Sequence, residues 1–156
     1  MKARTTLVAV VSFVAGLAIA YAADSPLVGT WKLNEAKSKY TAGATKNHTV
    51  VYSMQGDSIK VVVDGTDKDG KAVHNEWVGK FDGKDYPVVG SSVQGDSRSY
   101  TVVDERTLNM TVKKDGKVLG TGTVKVSADG KSRTVDTTSA DPKNPGLTAT
   151  AVYDKQ

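Results

Sequence analysis

Apolar and polar residues alternate along most of the chain beyond residue 26. Leu27, Gly29, Trp31 and Leu33 share one face of a first predicted strand, and most residues between them are polar. A period of two is typical of a strand with one buried face. Similar patterns predict further strands over 48–54, 59–63, 71–81, 86–89, 97–104, 107–113, 118–126, 132–139 and 147–153. The segment 35–46 breaks the alternation and predicts a short helical turn followed by a loop.

The tripeptide Asp-Gly-Lys occurs four times, and most copies lie between two alternating segments. The copies begin at Asp69, Asp82, Asp115 and Asp129. An Asp-Gly pair can place both central residues of a type I′ turn at positive φ, which suits a tight hairpin. The tripeptides therefore predict a meander of antiparallel strands.

The number of strands and the short connections between them indicate the fold class. Nine or ten strands with no long helix predict an all-β, antiparallel up-and-down β-barrel of about eight to ten strands. Closure into a barrel removes the exposed edges that favour aggregation. A two-sheet β-sandwich is the alternative, because strand patterning alone does not distinguish it from a flattened barrel.

The first 22 residues have the pattern of a secretory signal peptide. Lys2 and Arg4 precede an uncharged run over 7–20, and small residues occupy the cleavage positions before Ala22 or Ala23. The alternative, a membrane anchor, needs about 20 apolar residues and is disfavoured. We therefore expect residues 1–22 to be removed and residues 23–156 to form a single domain, periplasmic or secreted, with no stable membrane insertion.

Composition narrows the classes of partner. Cleavage after Ala22 leaves 134 of the 156 residues, with 19 basic and 17 acidic side chains, a net charge of +2. The charges are interspersed, which argues against nucleic-acid binding. The chain has no cysteine, so it lacks both disulfides and a lipid-anchor site. We expect a monomer stabilised by core burial and by its hydrogen-bonded sheet.

The first strand carries a family resemblance. The segment 27–34, Leu-Val-Gly-Thr-Trp-Lys-Leu-Asn, resembles the Gly-x-Trp strand of lipocalins and related calycin barrels, and the chain is similar to small exported bacterial lipocalin-like proteins. The resemblance implies that Gly29 and Trp31 lie at the closed end of a barrel, and that an arginine of a late strand, here Arg133, packs across the indole. A one-residue change of register would instead turn Arg133 to solvent.

Five residues are candidates for lining a ligand pocket. Three are aromatic residues on predicted inward faces, Tyr52, Trp77 and Phe81, and two are adaptable methionines, Met54 and Met110. Packing in a solid core is the alternative for each. The resemblance to lipocalins favours a cavity for a small apolar or amphipathic ligand.

The candidates for other chemistry are weaker. His48 and His74 do not form a recognisable metal set, and the stretch from Asp64 to Glu76 lacks the first ligand of a calcium loop. No nucleophile elbow is present. The sequence therefore predicts an exported carrier of a small molecule, without catalysis, cofactor or metal. The alternative is a protein-interaction module, such as an inhibitor or assembly factor, that uses the apolar segment 86–89; an enzyme on the same barrel is a third reading.

Overall fold

The computed structural model describes residues 25–91 and 95–156, and the predicted signal peptide lies outside these ranges. The described residues form one antiparallel sheet. Its strands are β1 (Gly29–Leu33), β2 (Lys39–Tyr40), β3 (Lys46–Gln55), β4 (Ser58–Thr66), β5 (Ala72–Gly79), β6 (Tyr86–Ser91), β7 (Ser97–Asp104), β8 (Thr107–Lys114), β9 (Lys117–Val126), β10 (Ser132–Ser139) and β11 (Thr148–Lys155).

The sheet closes on itself through its first strand. Trp31 lies opposite Val50 of β3 on one side of β1 and opposite Lys155 of β11 on the other. From β3 to β11, consecutive strands are neighbours. The two-residue strand β2 pairs with β11 beside β1. Ten strands therefore form a closed up-and-down barrel, which confirms the predicted fold class and excludes the β-sandwich.

The predicted helical turn is a single 3₁₀ turn, Glu35–Lys37, between β1 and β2. The side chain of Asn34 caps it by accepting a hydrogen bond from the backbone N–H of Lys37 at 3.2 Å. The following residues were predicted to be a loop, but Lys39 and Tyr40 pair with β11. No helix in the part of the chain described is long and apolar enough to cross a membrane.

The Asp-Gly pairs form turns of more than one type. Asp115 has a φ of +50° and Gly116 a φ of +75°, as a type I′ turn requires. At the other three copies only the glycine has a positive φ. In the β9–β10 turn, for example, the N–H of Gly130 donates to the carbonyl of Ser127 at 3.0 Å, and Asp129 accepts from the backbone N–H of Lys131. The prediction of type I′ turns therefore holds at one copy only, because the longer loops need just one left-handed residue.

The barrel has two different ends. The chain enters at the start of β1, where Leu27 and Trp31 are fully buried, and we call this the closed end. The turns β3–β4, β5–β6, β7–β8 and β9–β10 lie at the same end. The opposite end, which we call the open end, carries the loop over 41–45 and the connections over 67–71, 115–116 and 140–147. The fully buried side chains of the core belong to the closed half and the middle of the barrel.

Candidate ligand-binding site

Arg133 and three aromatic rings fill one side of the closed end. Arg133 is 2% exposed, and its guanidinium carbon lies 5.3 Å from the ring centroid of Trp31, 5.1 Å from that of Tyr52 and 4.4 Å from that of Tyr153. Its Nε and Nη1 atoms are buried without a hydrogen-bond partner among the described residues. The positive charge is therefore stabilised by ring faces rather than by a carboxylate.

Gly29 lets the chain pass close to its neighbour at this end. It has a φ of +129°, and a Cβ atom there would lie 2.9 Å from Cε of Lys155. The Lys155 ammonium donates to the carbonyl of Pro26 at 3.0 Å and lies 5.1 Å from the ring centroid of Trp31. Trp31 is fully buried beneath these contacts. Gly29, Trp31 and Arg133 thus lie together at the closed end.

A second aromatic cluster fills the other side of the closed half. Trp77 makes edge-to-face contacts with Tyr86 and Tyr100, with centroids 5.7 and 4.9 Å apart, and stacks on Phe81 at 6.3 Å. The indole Nε1 donates to the backbone carbonyl of Arg98 at 2.9 Å. Trp77 and Phe81 are buried core residues, so they form a floor beneath the open end rather than the wall of a pocket.

Tyr52 lies between the two clusters. It is 3% exposed, and it contacts Arg133 on one side. On the other side it approaches Tyr100 closely enough to affect the ionisation of that phenol. Burial raises the pKa of Tyr100 well above its ordinary value, and the nearby guanidinium of Arg98 opposes the rise. The Tyr100 phenol is therefore neutral at physiological pH.

The two methionines occupy different environments. Met110 is partly buried, lies opposite Tyr100 on β8, and places its Cε atom over Gly122 of β9. Met54 is 38% exposed near the end of β3. Its direct partner in the β3–β4 register, Ile59, is fully buried, so the exposure of Met54 sets it apart from the core beside it. Of the five predicted pocket residues, only Met110 faces the open half.

The inward positions of the open half carry small or polar residues. On β9, every second residue from Val126 to Gly122 faces inward. The same alternation runs from Arg133 to Thr137 on β10 and from Tyr153 to Ala149 on β11. Gly122, Thr137 and Ala149 lie opposite one another and are partly exposed. Met110 Cε and Thr137 Cγ2 pack over Gly122, at 3.2 and 3.1 Å from the position of a Cβ atom there. The inward residues of the open half thus differ from the aromatic half in being small and partly exposed.

Arg98 and Asn75 are two larger polar residues on the inward faces of this open half. Arg98 alternates with inward Tyr100 on β7, and its Nη2 donates to Oδ1 of Asn75 at 3.3 Å across β6. The Nε atom of Arg98 is buried without a partner. The sequence analysis named neither residue as a candidate. The alternating pattern could have identified Arg98 as inward-facing, because it lies on the same face of its strand as Tyr100 and Val102.

Two depressions lie on the surface of the barrel. One, of about 550 Å³, lies at the rim of the open end, between the 41–45 loop and the β4–β5 turn. The salt bridge between Glu35 and Lys46, 3.0 Å long, lies in its lining, and Lys46 holds the pKa of Glu35 below its usual range. The other, of about 520 Å³, lies at the closed end between the β7–β8 and β9–β10 turns. Both contain side chains of both charges, so neither favours an ionic ligand.

The histidines have partners of their own. His48 makes a 3.0 Å hydrogen bond to Oγ1 of Thr66, and Nδ1 of His74 lies 2.6 Å from Oδ1 of Asp64. Asp67, in the stretch compared with a calcium loop, accepts backbone N–H groups of Asp69 and Lys71. In the described ranges, no three side chains of His, Asp or Glu are grouped as a metal ion would require.

Comparisons with known proteins return similar folds at low sequence identity. No family model and no curated protein sequence matches the chain. A redesigned β-barrel, mFAP1, bound to DFHBI, is 16% identical over 83% of this chain and 95% of its own, with a TM-score of 0.48. EF1p2_mFAP2b bound to DFHBI is 13% identical over 87% and 98%, with a TM-score of 0.49. The amine binding protein of Rhodnius prolixus in its tryptamine complex is 18% identical over 85% and 65%, with a TM-score of 0.40.

Proposed function

We propose that this protein is an exported, lipocalin-like carrier that binds a small apolar or amphipathic molecule in the open half of its barrel, without catalysis. The observation that carries the proposal is the difference between the two halves of the interior. Aromatic rings and Arg133 fill the closed half. Small, partly exposed residues line the open half. A barrel that is solid at one end and lined by small residues at the other can take a ligand from the open end.

The side chains of the open half suit a ligand of modest size. Met110 supplies an apolar, adaptable surface, and Arg98 and Asn75 supply polar anchors. Trp77 lies directly beneath, because its indole donates to the carbonyl of Arg98. A bound ligand would therefore change the fluorescence of a tryptophan that is itself part of the floor.

The segment 86–89 offers little support for the alternative, a protein-interaction module. Tyr86 packs on Trp77, and Val88 is 7% exposed, so Val89 is the single large apolar side chain of this segment that is exposed. An apolar docking cluster would require several exposed neighbours. The segment is an ordinary strand of the barrel wall, and we favour the carrier.

Native mass spectrometry of the protein purified from the cells that make it tests the proposal. A mass excess that disappears on denaturation would reveal a bound small molecule. The variant Thr137→Phe places a ring among the small inward residues, whereas Thr138→Phe places the same ring on the outer face of β10. We expect the mass excess in the wild-type protein and in Thr138→Phe, and its loss in Thr137→Phe.

An empty wild-type barrel that also binds neither 1-decanol nor 4-phenylbutanol in calorimetry would overturn the carrier proposal. The denatured mass provides a separate test of export. Removal of residues 1–22 or 1–23 would support a periplasmic or secreted location, whereas a chain that retains its first 22 residues would contradict it.

A further inference from the structure

Trp77 is the more easily oxidised of the two tryptophans in the chain. Trp31 has two cations over its ring, because its centroid is 5.3 Å from the guanidinium carbon of Arg133 and 5.1 Å from the ammonium of Lys155. A positive charge beside a ring opposes the removal of an electron from it. Trp77 is fully buried against uncharged rings, and its Nε1–H donates to a backbone carbonyl at 2.9 Å. That carbonyl is too weak a base to take the proton, so an oxidised Trp77 remains a radical cation and a strong oxidant.

Two phenols contact Trp77, and they differ in what surrounds their hydroxyl groups. The ring of Tyr86 is 5.7 Å from that of Trp77, and its hydroxyl donates to Oδ2 of Asp82 at 3.1 Å. Tyr100 is 2% exposed, and the groups that interact with its hydroxyl are another buried phenol and a guanidinium. Neither of these accepts a proton at neutral pH. Among the described residues, Tyr86 thus has a proton acceptor within reach that Tyr100 lacks.

The carboxylate of Asp82 is held in place beside Tyr86. Its Oδ1 accepts from the backbone N–H of Lys84 at 3.1 Å, and its Oδ2 lies 3.8 Å from the ammonium of the same lysine. Partial burial and the hydrogen bond to Asp82 raise the pKa of Tyr86 above its ordinary value, so the phenol keeps its proton at neutral pH. An oxidised Tyr86 must therefore release that proton, and a base within about 2.6–3.2 Å can take it. The Asp82 side chain is 23% exposed, so the proton can pass on to water.

We propose that Trp77, Tyr86 and Asp82 form a route by which an oxidising equivalent leaves the barrel interior and reaches the surface. A strong one-electron oxidant, such as an organic alkoxyl radical, takes one electron from Trp77 and one proton from water and becomes an alcohol. The Trp77 radical cation then takes an electron from the ring of Tyr86, and the phenolic proton moves to Asp82. The products are a neutral Trp77, a neutral radical on Tyr86 and a protonated Asp82, so electrons and protons balance. This activity is independent of the proposed carrier function.

Laser photoionisation followed by transient absorption tests the route in the full-length protein without an added oxidant. Light that tryptophan absorbs and tyrosine does not ejects an electron from an indole. Nitrous oxide and tert-butanol in the buffer remove that electron and the hydroxyl radical that it forms. We expect the absorption of the tryptophan radical to decay as that of a tyrosyl radical rises. Tyr86→Phe keeps the ring but has no phenolic proton, and it should lower the tyrosyl yield.

The matched control is Tyr40→Phe, which removes a phenol whose ring lies beside Lys46 and should keep the wild-type yield. In Asp82→Asn the amide can still accept the hydrogen bond but not the proton, so the conversion should slow by about a hundredfold. A wild-type protein whose tryptophan radicals do not convert would overturn the route, and this observation needs no variant. A wild-type tyrosyl yield in Tyr86→Phe would also overturn it. Equal conversion rates in Asp82→Asn and in the wild-type protein would overturn the role of Asp82.

Discussion

The guanidinium of Arg133 lies 4.4 Å from the ring centroid of Tyr153, its direct partner in the β10–β11 register. Trp31 of β1 and Tyr52 of β3 complete the set of rings around the same cation. These four residues belong to four adjacent strands, β10, β11, β1 and β3, where the last strand meets the first. Arg133 therefore stabilises the seam that closes the barrel.

Arg133 should contribute to stability mainly through its volume and its contacts with the rings. We expect Arg133→Ala to lower the free energy of unfolding by about 2–4 kcal/mol, because it leaves a cavity and removes the cation–π contacts. Arg133→Met fills most of the space without a buried charge and should cost less than about 1.5 kcal/mol. Urea unfolding followed by circular dichroism measures both values.

The pair of variants separates packing from charge at the seam. If Arg133→Met were as destabilising as Arg133→Ala, the charge itself would be essential, and the volume argument would fail. Arg106→Met is the control for loss of an arginine in general, because Arg106 is exposed and lies outside this cluster. We expect its unfolding midpoint to match that of the wild-type protein.

The fold was largely predictable because its signals are local. The alternation of apolar and polar residues located ten of the strands. In β1 it also identified the face that carries Trp31 and Leu33 as the inward one. The two-residue strand β2 was missed, since two residues carry no periodicity and their pairing with β11 is non-local. The turn types were overstated for a similar reason, because the residues around an Asp-Gly pair, and not the pair alone, set the loop length.

The site was less predictable than the fold. Aromatic character identified Tyr52, Trp77 and Phe81 as inward residues, but sequence alone does not show whether an inward ring lines a cavity or fills it. Arg98 was overlooked although it lies on the same face of its strand as the inward residue Tyr100. A charged residue in a strand is ordinarily exposed, and only the arrangement around the barrel brings Asn75 and Arg98 together.

The ring of Tyr86 packs against Gly79 at the end of β5. A Cβ atom at Gly79 would lie 2.5 Å from Cγ of Tyr86 and 2.6 Å from Cζ2 of Trp77. We therefore expect Gly79→Ala to destabilise the protein by about 1–3 kcal/mol through overpacking. Denaturant unfolding measures the change.

The matched control for Gly79→Ala is Gly120→Ala on β9, where the nearest atom to a new Cβ is the Thr138 carbonyl oxygen at 3.2 Å. We expect it to have the smaller effect. Equal losses at the two positions would show that the cost comes from the strand backbone and not from the rings.

Asp115 is the one non-glycine residue with a positive φ in the described ranges, at +50°. A β-branched residue is strained in this conformation, so Asp115→Val should cost about 1–2 kcal/mol of stability, whereas Asp115→Gly should be tolerated. The control is Lys117→Val, an exposed position at the start of β9 beside the same turn. Thermal unfolding of the three variants compares them, and a Val variant as stable as the Gly variant would contradict a type I′ turn here.

His74 forms a pH-dependent pair on the outer face of the barrel. Its hydrogen bond to Asp64, supported by Glu76 nearby, raises the pKa of the imidazole above its ordinary value. A raised pKa in the folded state means that the pair stabilises the protein fully below the unfolded pKa of about 6.5 and that this stabilisation is lost as the pH rises through the folded pKa. Because both side chains are about half exposed, we expect the effect to be small.

The test is an NMR titration of His74 in the wild-type protein and in Asp64→Asn. The variant should titrate at a lower pH, and the stability advantage of the wild-type protein over it should shrink as the pH rises from 5.5 to 9. Asp57→Asn is the control, because Asp57 pairs with Lys80 and should leave the His74 titration unchanged. An identical titration in the wild-type protein and in Asp64→Asn would show that the hydrogen bond does not set the pKa. In that case Glu76, whose Oε1 lies 3.7 Å from Nε2 of His74, would be the remaining source of the shift.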